Sequence, residues 1–379
     1  MPKWLRMFAL PLGVLAIVAA SCSSDESTSA SDTGTTSSSA SSPATECTAD
    51  PDFSVGVALD VGGLGDNGFN DLAKEGLDQA IADGIVCEEN TEFLEANSEG
   101  TNLDENIQSL AAAGYDVIMG TGFAFSPAVN TIAPDYPDAS FGIIDGYATC
   151  GTACGLDNDV EAIPNVVDLA FKEQEGSYLM GVAAALKAQE LGCDTIGFLG
   201  GQTGFLIGKF EAGYRAGVKE IDPKMTVLVE YLGDTTKAFD DITGGEAKSK
   251  AMYDDGACII YHAAGDAGNG LLKAAAEKEQ IAIGVDSDQF LTVTADQAQW
   301  IMTSMIKRVE TATYDTIAAG AEGTFEGGTA QVFDIASEGI SYATSNPELM
   351  GEDIVATVQE YSDKIVSGEI VPPDDPTKV

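Results

Sequence analysis

The loop after the first apolar segment carries side chains suited to holding a small polar molecule. Residues 55–59 are apolar and predict a short strand, and residues 69–82 predict a helix. The intervening loop and the first helical turn contain two acids, two amides and an aromatic ring, namely Asp60, Asp66, Asn67, Phe69 and Asn70. In open α/β sheets, ligands bind beside loops of this kind, at the carboxyl ends of the strands. Since the two carboxylates would repel an anion, the loop favours a neutral polar molecule with one flat face.

The same loop also has a purely structural interpretation. Its four glycines can form a tight turn, and Asp66 or Asn67 can cap the helix. No Gly-Lys-Ser/Thr sequence follows, and no Gly-x-Gly-x-x-Gly fingerprint is present, so a phosphate or dinucleotide loop is excluded. The loop alone leaves a ligand site and a simple turn both open.

Four further loops follow predicted strands and should border the same crevice. These loops span residues 120–126, 200–205, 262–268 and 286–289. They add Phe123, Phe205, Gly265 and Asp286 to the candidate binding residues, and Lys307, further along the chain, is a fifth. Phe69 and Phe205 could stack on opposite faces of a base or another planar heterocycle. Asp286 and Lys307 could bind sugar hydroxyls, since a carboxylate accepts and an ammonium donates hydrogen bonds.

Plainer alternatives exist for several of these residues. Phe205 lies in a helical run, where an aromatic side chain often belongs to the core, and Lys307 can simply balance nearby acids. Asp60, Asp66, Asp286 and Asp288 could hold calcium, but no Asp-x-Asp-x-Asn-Gly loop is present. We therefore expect neither a metal nor a cofactor.

Catalysis finds little support in the sequence. The chain has one histidine, His262, and no Gly-x-Ser-x-Gly elbow. Carboxylate pairs occur, but their spacing does not establish a glycosidase. We expect a binding protein, with an enzyme acting on nucleosides as the least favoured alternative.

Strand-like and helix-like segments alternate along most of the chain. The predicted strands are 54–59, 92–95, 117–119 and 141–144, followed by 195–199, 226–230, 258–261 and 282–285. This alternation predicts an α/β protein with two doubly wound parallel sheets, joined as two hinged lobes around a ligand.

The predicted boundaries follow from this pattern. Lobe I spans residues 47–170 with a return near 296–325, and the strand 300–304 and the helix after it belong to that return. Lobe II spans residues 171–295, entered through the helix 173–190, and residues 326–370 complete it, with 331–335 and the last helix included. Residues 371–379 form a tail.

The N-terminus resembles a bacterial lipoprotein signal. Lys3 and Arg6 precede an apolar run over residues 7–20, and small residues lead to Cys22. Residues 1–21 are then the signal, Cys22 the lipidated residue, and the Ser/Thr-rich residues 22–46 a tether. An ordinary secretory signal cleaved near Ala20 is the alternative. Both place the protein outside the cytoplasm, and the first anchors it to the cell membrane by lipid alone.

Charge and cysteine content limit the possible partners. The chain has 18 basic and 61 acidic residues, a net charge of −43, which disfavours nucleic acid and anionic membrane surfaces. Apart from Cys22, six cysteines remain, and in an exported chain they suggest disulfides. Strand starts share one edge of a parallel sheet, so we predict the pairs Cys47–Cys87 and Cys193–Cys258, and we expect Cys150–Cys154 to close a small loop. A zinc site is the competing interpretation, which the single histidine and the absence of paired Cys-x-x-Cys motifs disfavour.

Several ordered motifs resemble the basic membrane protein (BMP) family of substrate-binding lipoproteins. The opening motif is Asp60-Val-Gly-Gly-Leu-Gly-Asp-Asn-Gly-Phe-Asn70, and further matching segments are 128–138, 141–145, 175–181, 197–201, 210–217, 283–289 and 303–308. The resemblance implies a type I periplasmic-binding-protein fold. By position it implies that Asp60, Asp66 and Phe69 contact a base and that Asp286 and Lys307 contact a ribose. Pro127 and Phe205 depart from the family pattern, which often has an acid and a proline there.

The resemblance also implies a function and partners. We expect a receptor that binds a nucleoside, purine above others, and passes it to the permease and ATPase subunits of an ABC importer. The alternative is a receptor of the same fold that binds a sugar or signalling molecule and serves a sensor.

Overall fold

The computed structural model describes residue 47 and residues 49–149 and 161–379. Its strands are β1 (Val55–Leu59), β2 (Thr91–Glu95), β3 (Val117–Thr121), β4 (Ser140–Ile144), β5 (Val166–Phe171), β6 (Thr195–Gln202), β7 (Thr226–Gly233), β8 (Ile259–Ala263), β9 (Ile281–Asp286), β10 (Ile301–Lys307), β11 (Thr329–Phe333) and β12 (Ile340–Tyr342). Its helices are α1 (Phe69–Ala82), α2 (Leu103–Ala113), α3 (Ser126–Ile132), α4 (Glu173–Leu191), α5 (Phe205–Ile221), α6 (Ile242–Asp254), α7 (Gly268–Lys278), α8 (Gln289–Thr292), α9 (Ala295–Ala298), α10 (Val309–Glu322) and α11 (Glu352–Val366).

The strands form two six-stranded sheets, each the centre of one lobe. The sheet of lobe I has the order β11-β5-β4-β3-β1-β2 and is parallel throughout. The sheet of lobe II has the order β12-β10-β9-β8-β6-β7, with only β12 antiparallel. Central strands such as β1, β3, β8 and β9 are buried along their whole length, as expected for parallel strands covered by helices on both faces. The predicted fold class is confirmed.

Within the described residues the chain crosses between the lobes three times, and these crossings form the hinge. It leaves lobe I after β5 at Lys172, returns after β10 at Arg308, and crosses again between β11 and β12, over residues 334–339. At the first and third crossings β5 and β11 run side by side, and the rings of Phe171 and Phe333 stack with centroids 4.8 Å apart.

Two predicted placements of the C-terminal part were wrong. The strand near 300–304 is β10, which pairs with β9 in lobe II, and the strand near 331–335 is β11, which pairs with β5 in lobe I. A short connection follows β9, and consecutive strands usually become neighbours, so the crossing comes only after β10. The helix that follows, α10, does pack on α1 in lobe I, and α11 packs on α4 in lobe II.

Helices α4 and α5 pack unusually closely because glycines line their contact. A Cβ atom on Gly217 would lie 2.1 Å from the carbonyl oxygen of Tyr178, and one on Gly181 would lie 2.1 Å from that of Tyr214. The two backbones therefore approach to a distance that any larger residue would prevent.

Two disulfides join strand starts in the pairs that the sequence predicts. Cys47 is bonded to Cys87, with Cα atoms 5.6 Å apart, and Cys193 to Cys258, with Cα atoms 6.5 Å apart. The predicted Cys150–Cys154 bond, the signal, Cys22 and the tether lie outside the described residues. Within the described ranges no helix has the length and apolar character needed to cross a bilayer.

Candidate functional site

A cleft lies between the lobes, where the carboxyl ends of the strands of both sheets meet. It contains about 540 Å³ of space between protein atoms, part of which is open to solvent. Eight of the ten predicted binding residues line it, namely Asp60, Asp66, Phe69, Asn70, Phe123, Gly265, Asp286 and Lys307. The expectation that ligands bind at the carboxyl ends of the strands therefore identified eight of the 18 residues that line the cleft.

Asp66 and Asn70 line the cleft but also hold the loop together. The Asp66 carboxylate accepts hydrogen bonds from the backbone N–H groups of Gly68, Asn70 and Asp71, at 2.8–3.2 Å. It thereby caps the start of α1. The Asn70 amide donates to Asp66 at 3.1 Å and accepts from the N–H of Asp60 at 2.8 Å. The predicted capping role is thus confirmed for Asp66, and these hydrogen bonds fix the orientation of both side chains.

Asp60 and Asp286 offer acceptor atoms that the fold leaves available. Among the described residues, the only hydrogen bond to the Asp60 carboxylate comes from the N–H of Val61, at 2.7 Å, and none reaches the Asp286 carboxylate. Gly122, with φ of +116°, allows the close approach, because a Cβ there would lie 2.2 Å from Asp60 Oδ2. Asp286 itself has φ of +66°, a conformation that aspartate tolerates better than most residues.

Lys307 is the basic residue lining the cleft, and it pairs with an acid of the other lobe. Its Nζ lies 2.6 Å from both carboxylate oxygens of Asp145 and 3.2 Å from Glu173 Oε1, and its side chain is 1% exposed. The ammonium also lies over three aromatic rings, those of Phe69, Phe171 and Phe210, at 4.7–5.8 Å from their centroids. Lys307 therefore joins lobe II to lobe I at the hinge side of the cleft.

Burial dominates the electrostatics of the site. It raises the pKa of Asp60 and of Asp286 to about 7, and the pKa of Asp66 to about 6. It also raises the pKa of Asp145 to about 6, although Lys307 counteracts part of this effect. Burial alone would lower the pKa of Lys307, but Asp145, Glu173 and Asp286 outweigh it and raise that pKa.

Glu173 lies behind Lys307 and is held ionised by two lysines. Burial alone would raise its pKa, but Lys209 and Lys307 outweigh burial and lower it. Lys209, on α5, forms an ion pair with Glu173 and donates to the carbonyl oxygen of Phe171. Lys307 and Asp145, which line the cleft, thus belong to a buried ionic cluster with Glu173 and Lys209 at the first hinge crossing.

Aromatic rings form the apolar part of the cleft. Phe69 and Phe123 come from lobe I, and Phe210 and Phe239 from lobe II. The rings of Phe123 and Phe239 meet edge to face across the gap, with centroids 6.4 Å apart. Flat apolar walls therefore stand next to carboxylates and an ammonium, a combination that suits a planar ring carrying polar substituents.

Two predicted residues do not line the cleft. The side chain of Asn67 is directed to lobe II, where its Nδ2 lies 3.1 Å from Asn269 Oδ1. Phe205 is 37% exposed and borders a neighbouring pocket, where its ring meets that of Tyr147 at 5.8 Å. On α5 the helical period directs Leu206, Ile207 and Phe210 into the cleft instead.

Sequence reasoning missed Asp145, Phe210 and Glu173 as parts of the site. Asp145 directly follows β4, so the expectation that ligands bind at the carboxyl ends of strands could have identified it. Phe210 lies one helical turn after Leu206 and gave no separate signal. Glu173 is the first residue of α4, the helix through which the sequence predicts entry into lobe II, but its residue type gave no sign that it would pair with two lysines.

His262 belongs to the core of lobe II. It is buried, its Nε2 lies 2.9 Å from Gln289 Oε1, and burial lowers its pKa to about 4. The imidazole is therefore neutral at ordinary pH. No cluster of potential metal ligands is found in the part of the chain that the structure describes.

The two sheets, the three-crossing hinge and the cleft at the strand ends define a solute-binding protein with the type I periplasmic-binding-protein fold. The pattern of the family described as "ABC transporter substrate-binding protein PnrA-like" matches residues 53–375. The chain therefore belongs to this family, also called Bmp, and is a substrate-binding component of the ABC transporter type.

Known relatives and solved structures agree with this assignment. A CD4+ T-cell-stimulating antigen of Listeria monocytogenes is 32% identical, over 86% of this chain and 89% of that protein. The ABC transporter nucleoside-binding protein BmpA of Lactococcus lactis is 28% identical, over 85% and 89% of the two chains. An ABC transporter solute-binding protein of Aeropyrum pernix superposes with a TM-score of 0.71 at 26% identity, over 85% and 94% of the two chains.

Proposed function

We propose that this protein binds a nucleoside, preferably a purine nucleoside, between its two lobes and delivers it to an ABC importer. The observation that carries the proposal is the composition of the cleft, where phenylalanine rings stand next to two available carboxylates and a lysine. A nucleoside has a matching division into a flat base and a sugar with hydroxyl groups.

The base fits the aromatic part of the cleft. Phe69 and Phe210 offer stacking surfaces from opposite lobes, and stacking tolerates any base because every base has a π-face. Asp60 supplies an acceptor for a base N–H or amino group. Phe205 is not part of this proposal, since it borders the neighbouring pocket.

The sugar fits the charged part of the cleft. Asp286 can accept from ribose hydroxyls, and Lys307 can donate to a hydroxyl oxygen while remaining paired with Asp145. Four buried acids surround the space, so a nucleotide with a phosphate group should be disfavoured. The Lactococcus relative is named as a nucleoside-binding protein, which supports the same ligand class.

The proposed location is the outer face of the cell membrane, where an importer takes up its solute. Lipid attachment at Cys22 would hold the protein at the outer face of the cell membrane, with residues 22–46 as a tether. Permease and ATPase subunits are the partners that the family implies. Catalysis is not part of the proposal.

Isothermal titration calorimetry of the dialysed mature protein tests the ligand class. The panel holds adenosine, guanosine, inosine, cytidine, uridine, adenine, ribose, arabinose and adenosine monophosphate. We expect nucleosides to bind, purines most tightly, the monophosphate at least about tenfold more weakly, and free sugars not at all. Binding of arabinose or ribose without binding of any nucleoside would overturn the proposal in favour of a sugar receptor.

A matched pair of variants tests the site. Asp286→Asn keeps the shape and the positive φ angle but removes the charged acceptor, so nucleoside affinity should fall. Asp255→Asn changes an exposed aspartate at the end of α6 and should leave affinity unchanged. Equal affinities of the two variants would remove Asp286 from the site.

A further inference from the structure

Asn67 belongs to the loop that borders the cleft but makes its contacts with the opposite lobe. Its carbonyl oxygen accepts hydrogen bonds from Ser287 Oγ at 2.5 Å and from Gln289 Nε2 at 3.4 Å. Its side-chain Nδ2 donates to Asn269 Oδ1 at 3.1 Å, and Asn269 Nδ2 donates back to the carbonyl oxygen of Asp66 at 3.5 Å. Four hydrogen bonds thus join one turn of lobe I to lobe II.

The backbone geometry of this turn is built for these contacts. Asn67 has φ of +56°, a left-handed conformation that asparagine adopts more readily than most residues. Its own N–H donates to Asp71 Oδ2 at 3.0 Å, so the turn is held against α1 from the inside. The next residue, Gly68, lies against Asp286, with Asp286 Cβ 3.6 Å from the position that a Cβ would take.

The turn at Asn67 and part of the cleft surface belong to the same short segment of the chain. The neighbours of Asn67 along the chain are Asp66 and, beyond Gly68, Phe69 and Asn70, all of which line the cleft. The capping bonds of Asp66 make residues 66–71 one hydrogen-bonded unit. Movement of lobe II away from Asn67 therefore has to break contacts with the same unit that presents Phe69 to the ligand.

We propose that Asn67, Asn269 and Ser287 form a closure latch, a set of positioning residues that hold the ligand loop against lobe II when the lobes are closed. The latch touches no ligand and acts through the loop. Because its bonds form between protein groups alone, it gives the ligand-free protein a measurable closed population, and it slows opening once a ligand is bound. The proposal rests on the solute-binding role of the family and does not depend on which solute is bound.

The variants that test the latch avoid side effects on the backbone. Asn269→Ala and Ser287→Ala each remove one side-chain partner, and Asn67→Gly removes the amide while keeping the left-handed conformation accessible. The matched controls are Asn90→Ala and Ser367→Ala, whose side chains bond only within their own lobes. Circular dichroism and thermal unfolding identify any variant that fails to fold.

The readout is the distance between the lobes in the ligand-free protein. This distance is measured between two spectroscopic labels, attached to noncanonical residues that replace the exposed Asp104 in lobe I and Asp234 in lobe II. The two positions flank the contact between Gly100 of lobe I and Thr236 of lobe II. We expect each latch variant to lower the ratio of closed to open molecules by about two- to tenfold, the usual effect of one hydrogen bond. The controls should match the wild type.

Binding kinetics give a second readout with adenosine as the probe. The latch variants should release adenosine faster by the same factor, with little change in the association rate. A ligand-free wild type without a closed population, or latch variants whose distance distribution equals that of the wild type, would overturn the latch. Failure of the wild type to bind adenosine would contradict the proposed function alone, because the distance measurement needs no ligand.

Discussion

Lys307, the last residue of β10 in lobe II, donates hydrogen bonds to both carboxylate oxygens of Asp145, which directly follows β4 in lobe I. The two residues are 162 positions apart in the sequence. Their contact makes the binding surface a property of the closed pair of lobes, because neither lobe alone contains both the ammonium and the acid.

Replacement of Lys307 by methionine should destabilise the protein strongly. It would leave Asp145, Glu173 and Asp286 buried near one another without their shared cation, and removal of one partner from a buried ion pair costs about 3–5 kcal/mol. Urea unfolding at pH 8 measures the loss. Lys74→Met is the matched control, because Lys74 forms an ion pair with Asp78 at the surface, which contributes about 0–1 kcal/mol. Equal losses for both variants would contradict the role of Lys307.

Stability should increase when the pH is lowered from 8 to about 5.5. The folded protein raises the pKa of Asp60 and Asp286 to about 7, whereas an aspartate in an unfolded chain has a pKa near 3.9. Between these values the folded state binds more protons than the unfolded state, so this contribution to stability is complete below pH ~4 and is lost as the pH rises through ~7. Urea titrations at both pH values should differ by about 1 kcal/mol or more, since one pKa unit corresponds to ~1.4 kcal/mol.

Asp286→Asn serves as the internal check on this pH dependence. Since it removes one of the two most strongly perturbed acids, the difference between pH 8 and pH 5.5 should become smaller. Asp255→Asn, at the surface, should retain the wild-type difference. An unchanged difference in Asp286→Asn would mean that the pH dependence arises elsewhere, for instance from the overall negative charge.

Replacement of Phe69 by alanine should weaken nucleoside binding by about 1–3 kcal/mol, the usual contribution of a base stacked on an aromatic ring. Calorimetry with the tightest-binding nucleoside of the panel measures the change. Phe93→Ala, which removes a half-exposed ring of β2 outside the cleft, is the control and should bind like the wild type. Unchanged affinity in Phe69→Ala would exclude Phe69 from the binding surface.

Two glycines of α5 should respond to alanine in opposite ways. At Gly217 the added methyl group would meet the carbonyl oxygen of Tyr178 at 2.1 Å, and backbone atoms of α4 cannot give way, so a loss of about 1–3 kcal/mol is expected. At Gly208 the nearest atom would be Pro376 Cδ at 3.5 Å, so alanine should be neutral or should stabilise the helix by up to about 1 kcal/mol. Chemical unfolding of the two variants under identical conditions compares them, and similar effects would contradict the close packing of α4 and α5.

The sequence was sufficient to predict the fold class and much of the cleft. Alternation of strands and helices is a local pattern, and in a parallel sheet it also determines where the strand ends gather. For this reason Asp60, Phe69 and Asp286, which each stand at or near such an end, could be recognised as cleft residues. The strand-start argument likewise predicts the Cys47–Cys87 and Cys193–Cys258 pairs that the structure contains.

The sequence placed the first crossing of the hinge near residue 171, but it did not determine the two later ones. The strand β5 was not predicted, because the buried Asp168 interrupts its apolar pattern. The strands β10 and β11 were each predicted in the wrong lobe. Which sheet a strand joins depends on pairing with a distant segment, and a local pattern contains no information about that partner.

Side-chain direction was the other property that only the tertiary structure decided. Asn67 and Phe205 stand in loops or helix starts beside the cleft, yet one contacts the opposite lobe and the other lies in a neighbouring pocket. The loop around Asn67 was recognised from its residue types, but its contacts with Asn269 and Ser287 arise only when two lobes close on each other. Sequence therefore determined which groups gather at the strand ends, and the packing of one lobe against the other decided which of them face the ligand space.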